Sequence, residues 1–202
     1  DVYKRQEEYD RERAKDLMAS IKDFDKLVFE GHSTDYQTKY KLRELVEDGV
    51  GILKVGPGLT YAAREGIFSL CMIEEELAAV YGFETSHFRE ELDKAMLANP
   101  GKWAPYYHGT ENEIAFKRKY SFSDRCRYYL PQENVKNALA KLLTNLKEHP
   151  VPLPLLSQYM PFQYTLVREG KLNNTPEDLI KARVMYTIEE YTYASHQEEL
   201  IR

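Results

Sequence analysis

The stretch FEGHSTDYQTKYKLRELVEDGVGILKVGPGLTYAAREGIFSLCMIEEEL, residues 29–77, contains two successive junctions between an apolar run and a polar loop. The first apolar run covers residues 26–30 and the second covers residues 50–55. Each is followed by a loop and by a stretch with apolar residues at helical spacing, the second of which reaches about Tyr81. This order predicts a parallel α/β fold, in which ligands bind at the carboxyl ends of the strands.

Capping signals and further apolar runs extend this prediction along the chain. Thr34 with Gln37, and Thr110 with Glu113, match the capping box that satisfies the first N–H groups of a helix. Two more strands are expected, one at residues 151–157 and one around residues 103–108. Polar residues that follow these strands are therefore expected at the same edge of the sheet as those of the first two junctions.

Composition and charge narrow the class of protein. A net charge of −5 argues against a nucleic-acid-binding protein. No apolar run approaches the ~18 residues of a membrane span, and no leader pattern precedes the first junction. The two cysteines form no C-x-x-C pair, and Gly49 and Gly51 precede a strand, which is the wrong order for a dinucleotide fingerprint. We therefore expect a cytoplasmic protein with no nucleotide cofactor and no nucleic-acid or membrane partner.

The first junction offers ligands for a divalent metal. Glu30 and His32 lie two residues apart at a strand end, so their side chains point to the same side. A carboxylate and an imidazole are both ligands that zinc or manganese accepts, and His108 is a candidate third ligand. The alternative is that Glu30 and His32 only hydrogen-bond the loop before the next helix.

The second junction offers groups for a phosphate. The amides of Gly56 and Gly58 stand at the start of a predicted helix, where free N–H groups attract an anion. The alternative role of both glycines is a tight turn. Lys54 is a charge at the end of an apolar strand, a costly position unless it meets an anion. Its partner is either a ligand or a carboxylate of the protein, Glu30 or Asp35.

A second candidate phosphate site lies in residues 117–129, which mix cations, hydroxyls and aromatic rings. Arginine offers phosphate a bidentate geometry, which favours binding by Ser121, Ser123, Arg125 and Arg127. The alternative is a solvated helix face with internal ion pairs.

Two further candidates follow the strand expected at residues 151–157. Gln158 and Tyr159 would face the same carboxyl-end mouth. Alternatively, Tyr159 packs against Phe162.

Four segments of the chain resemble one known family. They are HSTDYQ at residues 32–37, ILKVGPGLTYAAREGIFSL at 52–70, YSFSDRCRYY at 120–129 and PLPLLSQYMPFQY at 152–164. The chain is similar to the GatZ/KbaZ family, the Z-type non-catalytic subunits of class II tagatose-1,6-bisphosphate aldolase. The resemblance runs from about residue 27 to about residue 195.

The resemblance implies a (β/α)8 TIM-barrel fold. A complete barrel typically needs ~250 residues, so 202 residues are expected to form the C-terminal half, as a single partial-barrel domain over residues 1–202. Residues 1–6, DVYKRQ, resemble nothing in the family and are expected to be a foreign remnant. The unpaired edges of such a half-barrel predict association with another chain or with a second copy.

The resemblance implies two functions of different class. As an accessory subunit, the chain supports the activity and stability of a catalytic Y-type aldolase subunit in galactitol and tagatose 6-phosphate catabolism. As an enzyme, it is a metal-dependent tagatose-6-phosphate 4-epimerase, with the metal on Glu30, His32 and His108. In that case Lys54 or Arg125 holds the substrate phosphate, and Asp35 or Tyr159 carries protons.

Overall fold

The computed structural model describes residues 7–24 and 26–197, so the expectation for residues 1–6 lies outside the described residues. Within these ranges the chain is mostly helical, with a small parallel sheet. The strands are β1 Phe29–Gly31 and β2 Val50–Leu53. The helices are α1 Arg11–Ser20, α2 Lys39–Glu47, α3 Gly58–Tyr81, α4 Phe88–Ala98, α5 Glu111–Tyr120, α6 Glu133–Glu148, α7 Leu153–Tyr159, α8 Pro161–Arg168 and α9 Pro176–Ala194.

The described chain divides into two compact units. Residues 7–59 with 185–197 form the strand unit, which contains β1, α2 and β2. Residues 60–184 form the helical unit. The prediction of one partial-barrel domain over residues 1–202 stays a prediction.

The strand unit contains the predicted β-α-β repeat. Strands β1 and β2 pair in parallel, with Glu30 opposite Ile52 and Gly31 opposite Leu53. Both strands are shorter than the apolar runs that predicted them, and they form the two-stranded sheet of the described residues. The α/β class is therefore confirmed at the level of this small parallel sheet.

The predicted cap of α2 at Thr34 and Gln37 is wrong. Thr38 caps this helix, with its hydroxyl accepting the N–H of Lys41 at 3.3 Å. Thr34 instead donates its hydroxyl to the carbonyl of Lys54 at 3.1 Å, and Gln37 accepts the N–H of Tyr9 at 2.9 Å. Tertiary partners take both polar side chains, so the loop stays non-helical for four more residues.

The core of the helical unit is built on α3 and the helices that pack on it. Leu70 and Ile73 of α3 are fully buried, as are Leu142 of α6 and Leu156 of α7. Buried residues recur at helical spacing on α3 and on α6, where Val135, Ala138 and Leu146 join Leu142, so each of these two helices has one apolar face. Among the described helices, none is both long and apolar enough to cross a membrane.

The two further strands predicted in this unit are wrong. Residues 153–159 form α7, which carries a proline in its first turn. Proline is tolerated there because the first N–H groups of a helix have no acceptor within the helix. Residues 100–107 form consecutive turns, in which the N–H of Ala104 bonds the carbonyl of Pro100 and that of Tyr107 bonds the carbonyl of Trp103. Short apolar runs that contain proline fit either structure, and tertiary packing decides between them.

The cap predicted for α5 is confirmed. The Thr110 hydroxyl accepts the N–H of Glu113 at 3.3 Å, and the Glu113 carboxylate accepts the N–H of Thr110 at 2.7 Å. These contacts lower the pKa of Glu113 below its ordinary value, because hydrogen bonds to a carboxylate favour its charged form.

Candidate functional site

An internal carboxylate occupies the turn that was expected to bind phosphate. The Asp35 carboxylate accepts the N–H of Gly56 at 2.8 and 2.9 Å through its two oxygens, and the N–H of Gly58 at 2.6 Å. The side chain is buried, and Gly58 is the first residue of α3, where the helix dipole favours an anion. Asp35 thus makes the contacts that a phosphate group would make there.

The glycines of this turn are explained by the approach of Asp35. A Cβ atom at Gly56 would lie 2.8 Å from Oδ2 of Asp35, and one at Gly58 would lie 2.7 Å from Oδ1. Both distances are shorter than real Cβ contacts. The two amides therefore reach the carboxylate because neither residue has a side chain. The roles of Asp35 as proton carrier and of both amides as phosphate donors stay predictions.

Glu30, His32 and Lys54 form an exposed cluster at the carboxyl ends of β1 and β2. Lys54 is ion-paired with Glu30, one of the two internal partners expected for it. His32 Nε2 lies 3.5 Å from Oε2 of Glu30, and the His32 side chain is 66% exposed. The structure therefore brings together three of the predicted site residues, with the Glu30 carboxylate between a cation and an imidazole.

Replacing Lys54 by glutamine should change the free energy of unfolding by less than about 1 kcal/mol. Exposed ion pairs contribute little, because water screens them and ordering two long side chains costs entropy. Urea unfolding of the wild type and of Lys54→Gln measures the difference. Lys94→Gln is the control, since Lys94 is also an exposed lysine and pairs with Glu91 at 2.6 Å. A loss above 2 kcal/mol for Lys54→Gln alone would contradict a solvent-screened pair.

The predicted third metal ligand belongs to the other compact unit. His108 lies in the helical unit, exposed before α5, where its carbonyl accepts the ammonium of Lys117. In residues 7–24 and 26–197, no group of three or more His, Cys, Asp or Glu residues is arranged to hold a metal. Glu30 and His32 supply two donors, so these residues alone do not complete a metal site. The zinc or manganese cofactor stays a prediction.

The serines of the second candidate site lie in a chain of hydroxyl groups. Ser121 Oγ lies 3.0 Å from Ser123 Oγ, and Ser123 Oγ lies 3.0 Å from the Tyr107 hydroxyl. Ser121 is buried and its Oγ also accepts the N–H of Ser123. The two hydroxyls thus stabilise the turn after α5.

The arginines next to this turn bond to the backbone. Arg125 donates to the carbonyl of Lys102 at 3.0 Å and lies against the ring of Tyr106. Arg127 donates to the carbonyls of Ser123 and Asp124, the latter at 2.9 Å. The structure brings Ser121, Ser123, Arg125 and Arg127 into one segment of the helical unit, and their role in phosphate binding stays a prediction.

Gln158 and Tyr159 end helix α7 and do not follow a strand. Gln158 is exposed, and the Tyr159 hydroxyl donates to Glu76 at 3.3 Å. Desolvation, and then the charge of Glu76, raise the pKa of Tyr159 above its ordinary value. The phenol therefore holds its proton, which suits a donor better than a base.

Sequence reasoning missed a buried polar cluster around Asp124. The carboxylate accepts the Thr60 hydroxyl at 2.6 Å and the Cys126 thiol at 3.1 Å, and its Oδ1 lies 3.4 Å from Nε of Arg64. Arg64 and Asp124 are both buried. The available signal was Arg64 itself, a charge on the apolar face that Ile67 and Phe68 continue.

Asp124 should make stability depend on pH. Desolvation raises the pKa of its carboxyl above the ordinary 3.8, so the folded state binds this proton more tightly than the unfolded chain. The free energy of unfolding of the wild type should therefore fall, relative to Asp124→Asn, as the pH rises from about 3.8 through the raised folded pKa, and then stay level.

Urea unfolding of wild type and Asp124→Asn, at steps from pH 3.5 to pH 7.5, measures this difference. Other titrating groups are shared by both proteins and cancel in the subtraction. A difference that is constant with pH, or that grows in favour of the wild type, would show that burial does not dominate at Asp124.

The paired strands, with polar side chains collected at their carboxyl ends, define an α/β protein of the class that places ligand sites at strand ends. Within that class, the family model of the D-tagatose-1,6-bisphosphate aldolase subunit GatZ/KbaZ-like proteins matches residues 3–196. The chain therefore belongs to the GatZ/KbaZ-like family.

One solved structure gives a detailed comparison. The chain is 39% identical to a crystal structure described as a probable tagatose 6 phosphate kinase from Sinorhizobium meliloti 1021, with a TM-score of 0.87. The match covers 93% of this chain and 48% of that one. The chain thus spans about half the length of the solved structure.

Proposed function

We propose that this chain is part of a non-catalytic, Z-type accessory subunit that supports a catalytic Y-type tagatose-1,6-bisphosphate aldolase subunit in the cytoplasm. The observation that carries the proposal is the family match over residues 3–196, because that family is associated with this aldolase. The predicted site residues also have partners within the protein, which agrees with a non-catalytic role. Asp35 holds two amides, Lys54 holds Glu30, and Arg125 and Arg127 hold backbone carbonyls.

The barrel is part of the same proposal. Parallel pairing of β1 with β2 through the intervening α2, followed by α3, is the repeating unit of a (β/α)8 barrel. The solved relative is about twice as long as this chain, since the match covers 48% of it. This supports the proposal that β1 and β2 belong to a larger sheet. Pairing of β1 or β2 with further strands would also cover their open edges.

Association with the catalytic subunit tests the accessory role. Sedimentation velocity of this protein, of a Y-type aldolase subunit and of their mixture should show a new, faster species only in the mixture. Bovine serum albumin in place of the aldolase subunit is the control for non-specific contact. Two species that sediment independently at tens of micromolar would refute a stable accessory complex.

A second candidate function is favoured by the exposed cluster of Glu30, His32 and Lys54. In this function, that of a tagatose-6-phosphate 4-epimerase, Lys54 would hold the substrate phosphate, next to Glu30 and His32 as two of the metal ligands. A bound divalent metal would supply Lewis-acid stabilisation of developing negative charge. The described residues offer two of its donors, so the epimerase requires others from outside them.

Turnover of tagatose 6-phosphate to fructose 6-phosphate tests this second function. Activity in the wild type that is lost in His32→Ala and Lys54→Gln, and retained in Lys94→Gln, would establish the epimerase. If there is no turnover, or if turnover is equal in all four proteins, the epimerase function is refuted. The sedimentation experiment tests the accessory role and the turnover assay tests the epimerase, so one function can be refuted without the other.

A further inference from the structure

A cavity within the helical unit collects three arginines. Its volume is about 510 Å³, and its lining includes Arg64, Arg89 and Arg183 together with one acid, Glu65. Phe68 and Met160 contribute to its apolar wall. The sequence predicted no site from these residues, and the strand-end cluster contributes none of them.

Arg64 is the residue that distinguishes this cavity. Its side chain is 3% exposed, and neither Nε nor Nη2 has a hydrogen-bond partner among the described residues. Its nearest carboxylate oxygen, Oδ1 of Asp124, lies 3.4 Å from Nε. Thr60 and Cys126 already donate to the two oxygens of that carboxylate. A buried guanidinium therefore has a distant counter-charge and N–H groups without an acceptor, an arrangement that costs free energy unless an acceptor arrives.

Aromatic rings cover this guanidinium without replacing the acceptor. The ring centroids of Tyr61, Phe68 and Tyr120 lie 4.1, 5.0 and 5.7 Å from its central carbon. Cation–π contacts stabilise the charge through the ring faces. The Tyr61 hydroxyl also bonds the Arg64 side chain, but Nε and Nη2 of Arg64 have no hydrogen-bond partner among the described residues. Arg64 and all three of these aromatic residues belong to the lining of the cavity.

The other two arginines of the lining are each paired with a carboxylate. Arg183 pairs with Glu65 at 2.6 Å, and Arg89 pairs through one terminal nitrogen with Glu75 at 2.7 Å. The Nε of Arg89 is buried without a hydrogen-bond partner among the described residues. Two guanidinium groups of one cavity thus each have an N–H that lacks an oxygen acceptor.

We propose that this cavity binds a small organic anion, through its phosphate or carboxylate group, on Arg64 and Arg89. Oxygen atoms of either group accept two N–H bonds from a guanidinium. The apolar wall then accommodates the body of the ligand, as in most small-molecule sites. The site does not rest on the proposed aldolase role or on the cluster of Glu30, His32 and Lys54. Its lining does include Tyr159, one of the two proton carriers predicted for the epimerase.

Isothermal titration calorimetry with inorganic phosphate and with malonate tests the proposal. Chloride keeps the ionic strength constant, so general screening does not count as binding. The wild type should bind at least one of the two anions at a single saturable site, and the tighter anion identifies the head group. Arg64→Met should weaken binding at least tenfold. Arg168→Met should leave it unchanged, since Arg168 is exposed and outside the cavity lining.

A second variant keeps the test decisive if Arg64→Met fails to fold by circular dichroism. Ser69 lines the same cavity, and Ser69→Phe fills it while leaving Arg64 in place, so binding should be lost there too. Absence of saturable binding of both anions in the wild type would overturn the proposal. So would wild-type affinity in a folded Arg64→Met, or in Ser69→Phe where Arg64→Met does not fold.

Discussion

Replacement of Asp35 by alanine should lower the free energy of unfolding by about 3 to 5 kcal/mol. A hydrogen bond to a charged group contributes about 1.5 to 3 kcal/mol, and Asp35 accepts the N–H groups of both Gly56 and Gly58. Without the carboxylate, the N–H of Gly58 loses its acceptor at a buried position, that of Gly56 loses its acceptor at a partly buried one, and the start of α3 loses an anion. Urea unfolding followed by circular dichroism measures the loss.

Two controls separate this role from a general effect of charge. Asp35→Asn keeps one acceptor oxygen but loses the charge, and its loss should be intermediate. Asp16→Ala removes an exposed acid of α1 and should change stability by less than about 0.5 kcal/mol. An Asp35→Ala variant as stable as the wild type would mean that Asp35 is not the anion of this turn.

Replacement of Gly58 by alanine should cost about 2 to 3 kcal/mol in the wild type. The added Cβ would stand 2.7 Å from Oδ1 of Asp35, so the carboxylate or the turn must move and a charge-assisted hydrogen bond is lost. Gly58 does not have a positive φ, so alanine brings no backbone strain of its own. The same urea unfolding measures this loss.

The control is Gly58→Ala introduced into the Asp35→Ala variant, where its effect on stability should be reversed. With the carboxylate gone, Gly58→Ala should be neutral or stabilise by about 0.5 to 1 kcal/mol, because alanine favours a helix over glycine. The double-mutant cycle should therefore give a coupling energy above about 2 kcal/mol. Equal effects of Gly58→Ala in both backgrounds would show that the glycine is required for a reason unrelated to Asp35.

Local sequence patterns predicted the elements whose cause is local. The positions of β1 and β2, the end of α3 at Tyr81 and the capping box of Thr110 and Glu113 all follow from apolar runs, from periodicity or from residues three positions apart. The cluster of Glu30, His32 and Lys54 was also predictable, because parallel strands bring their carboxyl ends to one edge.

Features that depend on distant residues were not predictable from the pattern. The glycine turn was expected to bind a phosphate or to serve as a tight turn, and in the structure its amides bind Asp35, which lies more than 20 residues earlier in the chain. The cap expected at Thr34 failed because a strand carbonyl, that of Lys54, takes its hydroxyl. The strand expected at residues 151–157 became α7, since a short apolar run with prolines fits either element.

The occupied turn has a consequence for the two candidate functions. A substrate phosphate that used the amides of Gly56 and Gly58 would have to displace the Asp35 carboxylate, a buried charge that would lose its hydrogen-bond donors. Lys54, in contrast, is 53% exposed and bound only by a screened pair to Glu30. Any anion that binds at the strand ends is therefore expected to contact Lys54 before the glycine amides.

The most direct test of the accessory role is the rate of tagatose 1,6-bisphosphate cleavage by a catalytic Y-type subunit, measured with and without this protein over a time course at 37 °C. The account predicts no cleavage by this protein alone, and a higher rate or a longer half-life of activity when it is added in equimolar amount. Cleavage by this protein alone, or an unchanged rate and half-life after its addition, would contradict the account.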